Sequence, residues 1–134
     1  MSIGNILYLK EEEFVATIIT EEEERKIYSV RSEINSLAKS CFFTISEYYK
    51  LVRKKIPLKN KIPIYFSDKL LLFKFRSNKT HYWVNFFNIF KICYDEEIVI
   101  IFKNGKCLRV NTNKRILNKE LNKIKHVLEY IDKL

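Results

Sequence analysis

Glycine and proline are scarce in this chain of 134 residues, at two each, and methionine and tryptophan occur once apiece. Two glycines cannot build a phosphate-cradling turn, and no P-loop, GxSxG or GxGxxG pattern is present. So few breakers point to regular elements joined by short polar turns. Cysteine is limited to Cys41, Cys93 and Cys107, an odd number without CxxC spacing and set in apolar runs. Buried, reduced thiols are expected, not a disulfide framework or metal ligands. No stretch approaches the roughly 20 apolar residues of a membrane span, and the start MSIGNILYLKEEE lacks the basic and apolar regions of a signal peptide. These absences predict a cytoplasmic protein with no membrane association.

Catalytic signals are equally thin. His81 and His126 have no Cys, Asp or Glu at ligand spacing, so ordinary histidines are expected in place of metal ligands or general bases. The runs Glu11 to Glu13 and Glu21 to Glu24 read as solvated turns. A non-enzymatic protein with no metal or cofactor is the expectation.

What the chain has is apolar content and local positive charge. Apolar residues make up 47% of it, enough to bury a core, and its length suits one domain spanning residues 1–134. The net charge is +9, and residues 48–79 alone carry ten Lys and Arg against Asp68. Elsewhere basic and acidic residues balance. Within that window KLVRKKIPLKNKIP, Lys50 to Pro63, holds six cations and no acid. An excess so localised is what a polyanion-binding face requires.

Short β-branched and aromatic runs predict strands at Asn5 to Lys10, Phe14 to Thr20, Lys26 to Ser32, Ile62 to Phe66, Leu70 to Phe75, Tyr82 to Ile92 and Glu97 to Phe102. Leu37, Cys41, Ile45, Tyr48 and Val52 recur at helical spacing, which predicts one internal helix over about 36–55. Its last turn is Arg53, Lys54, Lys55, favourable at the carbonyl end of the dipole, and Pro57 discourages continuation. Asn104-Gly105 predicts a two-residue hairpin that sets Ile101 opposite Leu108 and Val99 opposite Val110. After Thr112 or Asn113 as N-cap, Leu117, Leu121, Ile124, Leu128 and Ile131 mark a terminal amphipathic helix over about 113–132. The expected fold is α+β: a curved antiparallel sheet, or a barrel like the pleckstrin-homology domain, of about seven strands with these two helices.

Aromatic rings interleave with the cations, but Phe66, Phe73 and Phe75 alternate with polar residues on strands and are expected in the core. The cations Lys50, Arg53, Lys54, Lys55, Lys59, Lys61, Lys74, Arg76 and Lys79 remain as candidate nucleic-acid contacts. Arginine is less strongly hydrated than lysine and easier to desolvate in a narrow groove. Arg53 and Arg76 are therefore assigned to groove insertion and the lysines to phosphate. A pleckstrin-homology-like module whose basic face meets anionic lipid or an acidic protein is the alternative.

One ordered set of residues is more specific. Ser40-Cys41-Phe42-Phe43, Arg53-Lys54, Ile62-Pro63-Ile64, Leu70-Leu71-Leu72-Phe73, Trp83-Val84-Asn85, Ile89, Phe102, Asn104-Gly105 and Leu117 resemble, in order and spacing, the ComK family of competence transcription factors. The likeness covers roughly Ile34 to Leu128, with a fainter match around Ala16 to Thr20. It implies a double-stranded-DNA-binding activator that recognises paired A/T-rich boxes largely through the minor groove, acting as a homo-oligomer at promoters of DNA-uptake genes. Only Arg53-Lys54 among the candidate contacts lies on a family motif. The chain departs from the family at Phe73-Lys74, where Phe-Pro is usual, and at His81-Tyr82, where a Cys precedes the Trp. It also stops at Leu134, without the extension that engages the MecA adaptor, so control by that adaptor is not expected.

Overall fold

Leu71, Phe73 and Phe75 alternate with Leu70 and Leu72 along one strand, and the two sets point into different cores. A strand apolar on both faces must be covered on both. The computed structural model, which describes residues 2–133, supplies those covers. A six-stranded antiparallel sheet has the order β3 (Glu24–Ile27), β2 (Val15–Thr20), β1 (Ile6–Glu12), β6 (Thr80–Asn85), β5 (Leu70–Ser77), β4 (Ile64–Ser67). Helices α1 (Val30–Ser40) and α2 (Ile45–Lys55) pack on one face, over Ile6, Leu9, Ile18, Leu70 and Leu72. A second sheet, β7 (Ile89–Tyr94), β8 (Ile98–Phe102) and β9 (Cys107–Val110), closes the other face with α3 (Lys114–Asp132). The α+β class, the antiparallel pairing and the terminal helix agree with the sequence expectation. Among the described residues the strands number nine in two sheets, where about seven were expected, and the larger sheet is open-edged.

Where the chain passes between sheets, regular pairing breaks. The run expected as one strand, Tyr82 to Ile92, is split by a 3-10 turn at Phe86–Asn88. Asn85, with 0% exposure, organises that turn. Its Oδ1 accepts from the N–H of Leu71 at 3.1 Å and of Phe87 at 3.2 Å, while Nδ2 donates to the carbonyls of Ile6 at 2.9 Å and Lys69 at 3.0 Å. All four sites of one carboxamide are thus used to tie β1, β5 and the turn together. A bulge at Leu7, between the pairs Ile6 with Thr20 and Tyr8 with Ile19, lets Ile6 and Leu9 face the helices while Leu7 and Tyr8 face the second sheet.

The internal helix is two helices. Ser29 and Thr44 are N-caps, accepting from Ser32 N–H at 3.0 Å and Glu47 N–H at 3.2 Å. The first helix ends in a left-handed residue, Phe42 at φ 67°, with Phe43 N–H reaching back to Ala38 O at 3.1 Å. That position usually belongs to glycine, so the stop has no sequence signature here, and Phe42 is left 98% exposed. The strand expected at Lys26 to Ser32 is accordingly cut short at Ile27 by the start of α1.

The Asn104-Gly105 hairpin also differs by one residue. Phe102 N–H donates to Lys106 O at 2.8 Å and Gly105 takes φ 90°, giving a three-residue loop in place of the two-residue turn. Ile101 therefore faces Cys107, Ile100 faces Leu108 and Ile98 faces Val110. The slip sorts Ile98, Ile100, Phe102, Leu108 and Val110 onto one buried face. It leaves Cys107 exposed, while Cys41 and Cys93 are half-buried, so the thiols are not the buried set expected.

Replacing Asn85 with alanine leaves the N–H groups of Leu71 and Phe87 and the carbonyl of Lys69 without this partner, while Ile6 O keeps its bond from Asn88 Nδ2. At about 1–3 kcal/mol for each buried unsatisfied group, Asn85→Ala should destabilise by about 3 kcal/mol or more. Urea unfolding checks this as a lowered midpoint at unchanged slope.

Candidate nucleic-acid interface

The candidate cations divide into two groups on the surface, joined by a linker. On α2, Val52 is buried and Tyr48 and Tyr49 are half-buried, leaving Lys50, Arg53, Lys54 and Lys55 exposed on the rest of the helix. Tyr48 fixes the helix to the start of β4: its hydroxyl donates to Pro63 O at 2.7 Å and accepts from Tyr65 N–H at 3.1 Å. Burial pushes the Tyr48 phenol up to about 12. The Arg53 guanidinium lies 5.3 Å from the centre of the Tyr49 ring, a cation–π contact that orders the side chain while leaving it exposed.

The linker between α2 and β4 is held by alternate residues. Ile56 and Ile62 are buried with Val52 of α2 and Val127 of α3. Lys123 on α3 donates to Asn60 O at 2.9 Å and pairs with the buried Glu120, also at 2.9 Å. Lys59 and Lys61 flank that anchor and are exposed. Lys61 adopts φ 49°, a further bend in the backbone. The stretch from Lys50 to Pro63 is thus a helix end plus a pinned crossover, and β4 begins at Ile64, two residues later than expected.

The second group lies on β5, β6 and their turn. Lys74 and Arg76 pair in register with Trp83 and His81. The Lys74 ammonium sits 5.0 Å from the centre of the Trp83 ring. Arg76 Nε donates to Asn78 O at 2.8 Å, and Lys79 is exposed in the turn that follows. Lys61 and Arg76 line one cleft of about 520 Å³. Their convergence also registers at His81: burial lowers its pKa from 6.5, Lys74 and Arg76 lower it further, Glu11 opposes them, and Lys61 adds to the lowering.

Among the described residues, none of the candidate cations lies within ion-pair distance of a carboxylate. The ion pairs present are Lys10 with Glu12, Arg25 with Glu23, Arg109 with Glu97 and Lys123 with Glu120. Phe66, Phe73 and Phe75 are buried, as expected for core. His81, Asn78 and the residues opening α3 were missed. A readable signal for the last was present, since Asn113-Lys114-Arg115 puts cations where a helix start usually carries acids.

His81 gives a pH test. Its folded-state pKa is depressed, so as pH falls the unfolded chain takes up the proton first. The associated stability is complete above about 6.5 and is lost as pH falls from there through the folded value. His81→Gln should flatten that loss in thermal melts between pH 7.5 and 5. Arg76→Gln should raise the His81 pKa seen by NMR, because one source of repulsion is gone.

Compared with protein-family models, with curated proteins and with solved structures, the chain matches none.

Proposed function

We propose that the protein is a DNA-binding regulator that prefers A/T-rich duplexes, reads them largely through the minor groove, and acts in the cytoplasm as an oligomer. One observation carries this reading: among the described residues the candidate cations are all free of carboxylate partners, whereas the ion pairs use cations outside the set. An unpaired surface cation keeps its full attraction for a polyanion, and each phosphate it neutralises releases condensed counterions. Acidic residues are not lacking, since the chain has 16 Asp and Glu. All but Asp68 lie outside the basic window in the sequence.

Two further features support duplex DNA. Arg53 and Arg76 are exposed, and each is pre-ordered by one local contact, to the Tyr49 ring and to Asn78 O. Guanidinium groups held ready in this way suit the narrow, electronegative minor groove of A/T-rich sequence. The resemblance to ComK, quoted above residue by residue, points the same way and supplies the regulatory role. No helix among the described residues is long and apolar enough to cross a membrane.

Titration of an A/T-rich duplex bearing two spaced boxes, against a G/C-rich control at two salt concentrations, tests the reading. With about five phosphate contacts the log-log salt slope should be near −4 to −5, with tighter binding to the A/T-rich duplex. Equal affinity for both duplexes would leave a generic polyanion binder. Binding to phosphatidylserine vesicles without duplex binding would indicate an anionic-lipid module. Reversing Arg53 and Lys54 to Glu should abolish duplex binding and leave the melting temperature nearly unchanged, since both side chains are exposed and neither has a carboxylate partner among the described residues.

A further inference from the structure

We propose that the cleft between the linker before β4, the β5–β6 turn and the start of α3 holds one phosphate group, as part of a nucleic-acid backbone or of a free phosphorylated molecule. Lys61 and Arg76 both line it, and Asn78, Asn111, Thr112 and Asn113 complete its polar lining with no carboxylate among them. Its volume of about 520 Å³ exceeds what one phosphate needs and leaves room for the group to which the phosphate is attached.

The donors in the cleft outnumber the acceptors available to them. Arg76 commits only Nε, to Asn78 O at 2.8 Å, so its terminal nitrogens have no partner among the described residues. At the start of α3, Asn113 Oδ1 accepts from Ile116 N–H at 2.8 Å and Asn113 O from Leu117 N–H at 3.1 Å. The N–H groups of Lys114 and Arg115 are left without acceptors, as at any helix start that lacks a second cap. Just before them the Thr112 hydroxyl is shielded from solvent and has no hydrogen-bond partner. That hydroxyl, independent of the helix geometry, has both its proton and its lone pairs unmatched by protein groups.

The charge pattern adds a cost that only an anion offsets. Helix starts favour Asp and Glu, yet the first turn of α3 has no acid and begins Lys114-Arg115. The free terminal N–H groups of Arg76 and the Lys61 ammonium together exceed what the two oxygens of a carboxylate can accept. A phosphate, with more oxygens and more charge, can accept them together. The β9–β5 link, Asn111 N–H to Ser77 Oγ at 2.7 Å, sets the helix start beside Arg76 independently of any ligand.

The occupancy of this cleft by duplex DNA rests on the DNA-binding reading; its affinity for a phosphate group does not. The test is NMR titration of the labelled full chain with inorganic phosphate, with chloride at matched ionic strength as control. The amides of Lys114 and Arg115 should shift saturably with phosphate alone, and Arg76→Gln or Lys61→Gln should weaken that binding about tenfold or more. In the duplex arm, Arg76→Gln should lower the magnitude of the salt slope by about 1. No amide response to phosphate, or a response undiminished in both variants, overturns the proposal. Phosphate binding with an unchanged duplex slope assigns the cleft to a free phosphorylated molecule. Phosphate binding with no duplex binding at all sinks the DNA reading and leaves the cleft standing.

Discussion

The side-chain amide of Asn85 is the interaction on which the rest of the architecture depends. It sits where the chain leaves the six-stranded sheet for the three-stranded one, and it uses both lone-pair sites and both protons on backbone groups. Asn88 repeats the device one turn later, donating to Gly4 O at 2.8 Å and Ile6 O at 2.9 Å. A backbone that abandons one ladder before joining the next carries polar groups that neither ladder satisfies, and these two side chains satisfy them inside the core. The direction in which β7 departs follows from this, and with it the placement of β8, β9 and α3 over Phe73, Phe75 and Val84.

That placement also builds the basic surface. Once β9 ends against Ser77, the start of α3 is fixed beside Arg76, and the body of α3 then meets the linker through Lys123 and Val127. The buried Glu120 serves this contact: its partner Lys123 is the cation that reaches Asn60 O. One ion pair is spent on positioning the linker, and Lys59 and Lys61 beside it stay unpaired. The same economy holds on α2, where Tyr48 anchors the helix through two backbone groups and Tyr49 orders Arg53 through its ring face.

Much of this was legible in the residues. Short β-branched and aromatic runs and the Asn-Gly hairpin identified strands in both sheets, and the helical repeat of Leu117, Leu121, Ile124 and Leu128 identified the terminal helix, with Asn113 the one of its two candidate caps that is used. The break at Phe42 was not legible, because a residue with a Cβ stands where glycine usually signals a stop; the signal available was Thr44 with Glu47 three residues on. The hairpin register was misread by one because Asn-Gly suits both a two-residue turn and the last part of a three-residue loop. Burial of Ile98, Ile100 and Phe102 decided between them. Charge counting found the cations themselves but not their neighbours His81, Asn78 and Thr112, which carry no net charge to count.

The sequence by itself determined the class of fold, much of the core and the existence of a basic excess, because side-chain period and charge are local properties. Only the tertiary structure decided that Lys61 and Arg76 line one cleft, that the start of α3 joins them there through Thr112, Asn113 and Ile116, and that among the described residues no candidate cation lies within ion-pair distance of a carboxylate. Those facts join residues far apart along the chain, and their distances are set by how two sheets stack about one buried amide.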